Sequence, residues 1–242
     1  MASPLSRRSL FAGALALYQH NPEVVLLAGI EFKRLSVQPS RRRYLRIHGN
    51  EETAGQALTE HLRTRAGVGY LVTNKERNVA VSGGRIDPNR LFSREGAEAS
   101  LRRLNPQWTP DDIAKALDWL DGERPNLLAA LLPPGGELLF AVHNNGPGYS
   151  VEDELPLSQR SSLPRRAEPH EFFLATDPRD YQRLAAGPYN VVLQNEAPPP
   201  DDGSLSRLCA KRGIRYVNLE VASGKLAIQR EMMEWLENTL PE

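Results

Sequence analysis

Apolar and polar residues along this chain follow two periods that take turns. Residues 43–48 (RYLRIH) alternate with the period of two expected of a strand, and residues 51–66 (EETAGQALTEHLRTRA) then shift to helical spacing. The apolar stretch 23–37 (EVVLLAGIEFKRLSV) predicts one or two strands, followed by a loop at 38–43. Further strands are expected at 68–74, at 189–195 and at 214–221, with a buried one at 137–145 (ELLFAVHNN). The best-marked helix is 109–122: Thr109 can cap it, Pro110 suits the first turn, and Asp111 and Asp112 face its positive end. Gly122 follows its last turn. Shorter patterns predict helices at 177–187 and 225–240, the second amphipathic, while 146–169 reads as a long polar loop and 197–204 as an exposed turn or lid.

Strands that alternate with helices predict an α/β fold, here a single-domain α/β/α sandwich around a mixed, mostly parallel sheet. The expected domain is 23–242, and no internal repeat divides it. Ligands in such folds gather beyond the carboxyl ends of the strands. His48, His143 and Glu220 all fall late in expected strands, which marks them as candidates.

The chain has 242 residues, 40% hydrophobic and 25% charged, within the range of one large domain. Thirty basic residues balance thirty acidic ones, so the long-range field of a dedicated nucleic-acid binder is missing. The basic runs Arg41-Arg42-Arg43 and Lys211-Arg212 read as solvated faces. A single cysteine, Cys209, rules out an intrachain disulfide and any zinc site built on several thiolates. At the N-terminus, Arg7-Arg8 precede a short apolar stretch and an Ala-Leu-Ala at 14–16. This pattern over 1–22 is similar to a twin-arginine export signal; the alternative is a basic N-terminus leading into a buried helix of a cytoplasmic protein. No other stretch approaches the ~18 apolar residues of a membrane span.

A catalytic zinc site takes three neutral or anionic protein ligands and leaves one position open. His48 and Glu51, three apart in a turn between strand and helix, could supply two of them. The spacing alone is weak, since His-x-x-Glu recurs at 20–23 without that context. It gains weight from three later features in a fixed order: Arg85-Ile-Asp-Pro-Asn-Arg-Leu-Phe92, then His143 in a strand, then Glu220 in a late strand. Together these resemble the zinc carboxypeptidase superfamily, including its succinylglutamate desuccinylase and aspartoacylase branch, over about residues 40–240.

The resemblance implies that His48, Glu51 and His143 hold Zn²⁺ and that Glu220 is the general base. It implies that Asn89 and Arg90 bind a substrate carboxylate, for which a guanidinium fork is suited. Arg77 matches the arginine that polarises the scissile carbonyl, with Arg85 and Lys75 as competitors for that role, and Asp87 is expected to orient a neighbour. The family's tyrosine has no clear match; Tyr149, Tyr181 and Tyr189 are candidates by composition. The implied substrates are a carboxylate-bearing peptide or, alternatively, an N-acyl amino acid. A catalytically silent binding relative is the third reading, which the presence of Glu220 disfavours. A serine hydrolase is disfavoured by the lack of a Gly-x-Ser-x-Gly elbow.

Overall fold

The first apolar stretch folds as a hairpin. Strand β1 (Glu23–Leu27) turns back into β2 (Ile30–Val37) through Ala28 and Gly29, both at positive φ. The structure is a computed structural model that describes residues 23–37 and 40–240, so the twin-arginine segment at 1–22 lies outside the described residues. The chain continues through β3 (Arg43–Arg46), α1 (Glu52–His61), β4 (Gly67–Val72) and a small hairpin of β5 (Val79–Val81) and β6 (Gly84–Ile86). Then come α2 (Arg94–Leu104), α3 (Pro110–Leu131), β7 (Leu139–Asn145), α4 (Val151–Glu154) and β8 (Arg160–Ser162). The last third holds β9 (Phe172–Ala175), α5 (Pro178–Ala185), β10 (Asn190–Leu193), α6 (Leu205–Arg212), β11 (Tyr216–Ala222) and α7 (Leu226–Thr239).

Nine of these strands form one sheet in the order β1-β2-β4-β3-β7-β11-β9-β10-β8. Its centre, β4-β3-β7-β11, is parallel, while antiparallel pairings join β2 to β4 and β9 to β11 on the flanks. Every residue of β7 is buried, as a central strand covered on both faces requires. Its side chains divide the core in two. Leu139 and Ala141 face α2, α3 and α6 through Leu101, Leu117 and Leu208, whereas Phe140 and Val142 face α1, α5 and α7 through Leu58, Leu184 and Met232. The α/β/α sandwich with a mixed sheet and parallel centre is therefore the architecture that the alternating periods imply.

Four local expectations need correction. Helix α3 does not stop at Gly122 but runs on to Leu131, with Pro125 inside it. Pro125 lies on the exposed face, and burial of Leu127, Leu128 and Leu131 holds the extra turns in place. The loop 146–169 contains α4 and β8, both too short to show a period. The turn 197–204 is not exposed throughout: Gly203 and Ser204 are buried, and Gly203 O accepts from Phe92 N–H. Arg42, expected on a solvated face, is buried.

That arginine anchors a polar network under β3. Its guanidinium donates to the Glu237 carboxylate and, at 3.0 Å, to Leu240 O, while Tyr44 OH (2.9 Å) and His61 Nε2 (3.1 Å) reach the other Glu237 oxygen. The network ties β3 and α1 to α7. Burial pushes the Glu237 carboxyl up, but the His61 bond and the Arg42 charge outweigh it and hold it below the usual carboxylate range. A carboxyl depressed in the folded state stabilises above its unfolded pKa, near ~4.3, and loses that contribution as pH falls through the folded value. Glu237→Gln should cost about 3–5 kcal/mol in urea denaturation at pH 7, because it strands the Arg42 charge. The gap between mutant and wild type should narrow as pH drops below about 4; an equal gap at both pH values would refute the linkage.

Candidate functional site

The parallel register of β7 and β11 sets two side chains next to each other. Glu220 lies directly across the ladder from His143, so both point from the same face at the carboxyl ends of their strands. The turn after β3 delivers the remaining pair. Chain direction there is fixed by Arg46, whose buried guanidinium donates to His48 O (2.8 Å), Gly49 O (2.9 Å) and Val72 O. Gly49 is required by crowding: a Cβ there would lie 2.1 Å from Asn74 O. Glu51 occupies the position before α1 yet makes no cap with its side chain, which turns inward to the histidines. Asn144, on the opposite face of β7, serves the cap instead. Its Oδ1 accepts from Ala54 N–H at 2.8 Å, and its Nδ2 donates to Gln229 Oε1 at 2.9 Å.

His48, Glu51 and His143 converge. His48 Nδ1 lies 2.8 Å from Glu51 Oε1, and His143 Nδ1 lies 3.2 Å from Glu51 Oε2, with all three residues buried. Their ligand atoms fall within 4.8 Å of one another. Glu51 Oε2 is buried and makes no well-aligned hydrogen bond, its approach to His143 Nδ1 being an ion-pair contact, which suits an atom that meets a cation. Two imidazoles and a carboxylate are a donor set for a divalent metal, and they match a three-ligand site that leaves a coordination position open. The other nitrogen of His48, Nε2, is 2.9 Å from Asp87 Oδ1, an arrangement that fixes the ring and leaves Nδ1 as its inward donor atom. Asp87 thus orients a neighbour, as expected.

Burial pushes the Glu51 carboxyl up, but the adjacent His143 and His48 outweigh it and hold it well below the ordinary value. The His143 imidazole is raised in turn: burial lowers it, and the Glu51 charge more than offsets this. Burial dominates at Glu220. With the Glu51 charge adding to it, and His143 and the Asn218 bond at 3.0 Å opposing, its carboxyl is pushed up to about 7.

A cavity of about 560 Å³ opens over this group. Arg77 lines it and reaches Asp87 Oδ2 at 3.3 Å and Glu51 Oε1 at 3.8 Å, whereas Lys75 and Arg85 do not line it. Arg85 instead pairs with Glu76 at 2.6 Å. Asn89 and Arg90 also line the cavity, on the short turn Pro88–Arg90. Part of their capacity is already used: Asn89 Oδ1 accepts from Leu205 N–H at 3.1 Å, and Arg90 donates to Asn89 O at 2.9 Å and lies 3.6 Å from Asp202. Of the three candidate tyrosines only Tyr149 lines the cavity, with its hydroxyl bonded to Glu154; Tyr181 and Tyr189 are buried in the core beneath α5 and α7.

Arg46, Asn144 and Arg207 escaped the sequence reading. Arg46 carried a signal, an arginine at a position surrounded by buried alternation. Asn144 and Arg207 stand outside the motifs that drew attention, and their placement depends on packing between distant elements.

No family model matches the chain, and no curated protein matches it in sequence. Solved structures that it is similar to include the ectoine utilization protein EutE from Ruegeria pomeroyi, at 16% identity and a TM-score of 0.45 over 86% of this chain and 59% of that one. Another is the succinylglutamate desuccinylase from Chromobacterium violaceum, at 15% identity and a TM-score of 0.44, over 91% and 71% of the two chains. A third is the succinylglutamate desuccinylase/aspartoacylase from Rhodobacter sphaeroides, at 16% identity and a TM-score of 0.40, over 87% and 59%. The chain spans only 59% of the length of the first and third of these proteins.

The contact at Gly49 yields a direct test of how the histidine turn is held. Gly49→Ala should destabilise the fold by about 1–3 kcal/mol, since the new methyl meets backbone that has little room to retreat. Urea denaturation measures this, and an unchanged midpoint would mean that the turn is not packed as described.

Proposed function

We propose that this chain is a zinc-dependent hydrolase of amide bonds, of the zinc carboxypeptidase type, acting on a peptide or N-acyl amino acid that carries a carboxylate. The observation that carries the reading is the convergence of His48, Glu51 and His143, from a turn and a strand 92 residues apart, beside Glu220.

The three ligands fit Zn²⁺ through two imidazole nitrogens and one carboxylate. When bound, zinc supplies a Lewis acid that polarises a carbonyl and makes water more acidic. Glu220 is the proton carrier. Burial raises its carboxyl and the ladder sets it beside the ligand cluster, so it can accept a proton from the attacking water and return it to the departing amine. Arg77, half-exposed at the cavity wall, is the donor for the oxygen on which negative charge develops. Asn89 and Arg90 present a planar donor group to a substrate carboxylate. Asp87 keeps the His48 ring from rotating away from its neighbours.

The same site serves a peptidase and an N-acyl amino acid deacylase, because both cleave an amide next to a carboxylate. A metal-holding but silent relative is the reading from another class. Glu220 speaks against it, since a carboxylate buried beside the Glu51 charge costs stability and has no use in a merely structural site.

Purified protein should carry about one zinc per chain by elemental analysis, and His143→Ala should lose it, one of three ligands being gone. Glu220→Gln should keep the zinc while amide turnover falls by roughly 10²–10⁴. Assays of peptides beside N-acyl amino acids separate the two substrate classes. Zinc-loaded wild type that cleaves nothing in either set would leave only the silent relative standing.

A further inference from the structure

Three guanidinium groups that line the cavity differ in how their charge is met. Arg77 faces Asp87 and Glu51, and Arg90 faces Asp202. Arg207 faces no carboxylate among the described residues. Its side chain is only 9% exposed, and its Nη1 is fully buried with no hydrogen-bond partner. A buried guanidinium with no acceptor is expensive to keep, and arginine cannot shed its proton to escape the cost.

The position deepens the deficit. Arg207 lies in the first turn of α6, three residues after the capping Ser204, whose hydroxyl accepts from Arg207 N–H. That end of a helix carries positive partial charge, which repels a cation and attracts an anion. The start of α6 is fastened to the Asn89–Arg90 turn through Leu205 N–H, and Gly203 just before it accepts from Phe92 N–H. Arg207 therefore opens on the same cavity as Arg90, from a rigidly joined element.

We propose that Arg207 is an anchor for a substrate carboxylate, working beside Arg90 and carrying more of the binding because its charge is otherwise unmet. Resting on the amide hydrolase reading, this names the recognition residue of that same cavity. Arg90 has one nitrogen committed to Asn89 O and Asp202, whereas the Arg207 guanidinium is held by no carboxylate and, on turning from the wall into the cavity, meets one with parallel hydrogen bonds.

The test uses binding first, in zinc-loaded Glu220→Gln protein, with N-acetylalanine and its neutral counterpart N-acetylalaninamide as calorimetric probes. The acid should bind roughly tenfold or more tighter than the amide, and Arg207→Gln should remove that preference while Arg90→Gln only reduces it. In otherwise wild-type protein, Arg207→Gln should raise KM for the acid roughly thirtyfold with kcat changed much less, and should leave zinc content and the melting temperature in place. Arg207→Lys keeps the charge without the fork and should fall between the two, which guards against a glutamine variant that folds poorly. A carboxylate preference that survives Arg207→Gln, or its absence in the parent protein, overturns the proposal. Binding that depends on Arg207 in a protein without amide turnover would instead overturn only the hydrolase reading.

Discussion

Everything in the site turns on one buried carboxylate held between two imidazoles. Glu51 carries a charge that burial opposes, and His48 and His143 are the groups that offset it most closely. Each imidazole is fixed by something else. Asp87 holds the far nitrogen of His48, and the parallel ladder holds His143 beside Glu220. The consequence is a division between two neighbouring carboxylates. One is locked as an anion by its partners, and the other is pushed toward neutrality by burial and by the neighbouring Glu51 charge, which outweigh His143. Pairs whose environments separate their acidities in this way are the arrangement that acid–base chemistry uses.

The fold serves this division by placing its irregular turns where the parallel strands end. Regular structure carries the ladder and the core, and the site residues sit in the turn after β3, at the end of β7, on the turn before α2 and at the end of β11. Arg46, Gly49 and Asn144 are not themselves in the catalytic scheme, yet they decide where His48 and Glu51 point. They do so through backbone carbonyls, through the space that a missing Cβ leaves, and through the first amide groups of α1.

The alternating periods made most of the architecture legible, since burial on one or both faces writes itself into apolar spacing. His48, Glu51, His143 and Glu220 could be named because their types and order match a known chemical pattern, and the structure brings them together. Of Lys75, Arg77 and Arg85, only Arg77 lines the cavity, and the sequence alone leaves this open because all three lie within one stretch whose path it does not set. Gly122 misled as a stop signal: local propensity yielded to three buried leucines beyond it. Arg42 and Arg207 look like surface residues in the sequence. What buries them is contact with segments far along the chain, and no local window contains that information.

The central ladder also carries a cost in time. β7 is made more than seventy residues before its partner β11, so until β11 emerges one side of a wholly buried strand stands with its N–H and C=O groups unmatched. A nascent chain in that state exposes a sticky edge of the kind that recruits other chains. Occupation of that edge by β11 both quenches the hazard and sets Glu220 beside His143, so the step that renders the molecule safe is the same one that assembles the proposed site.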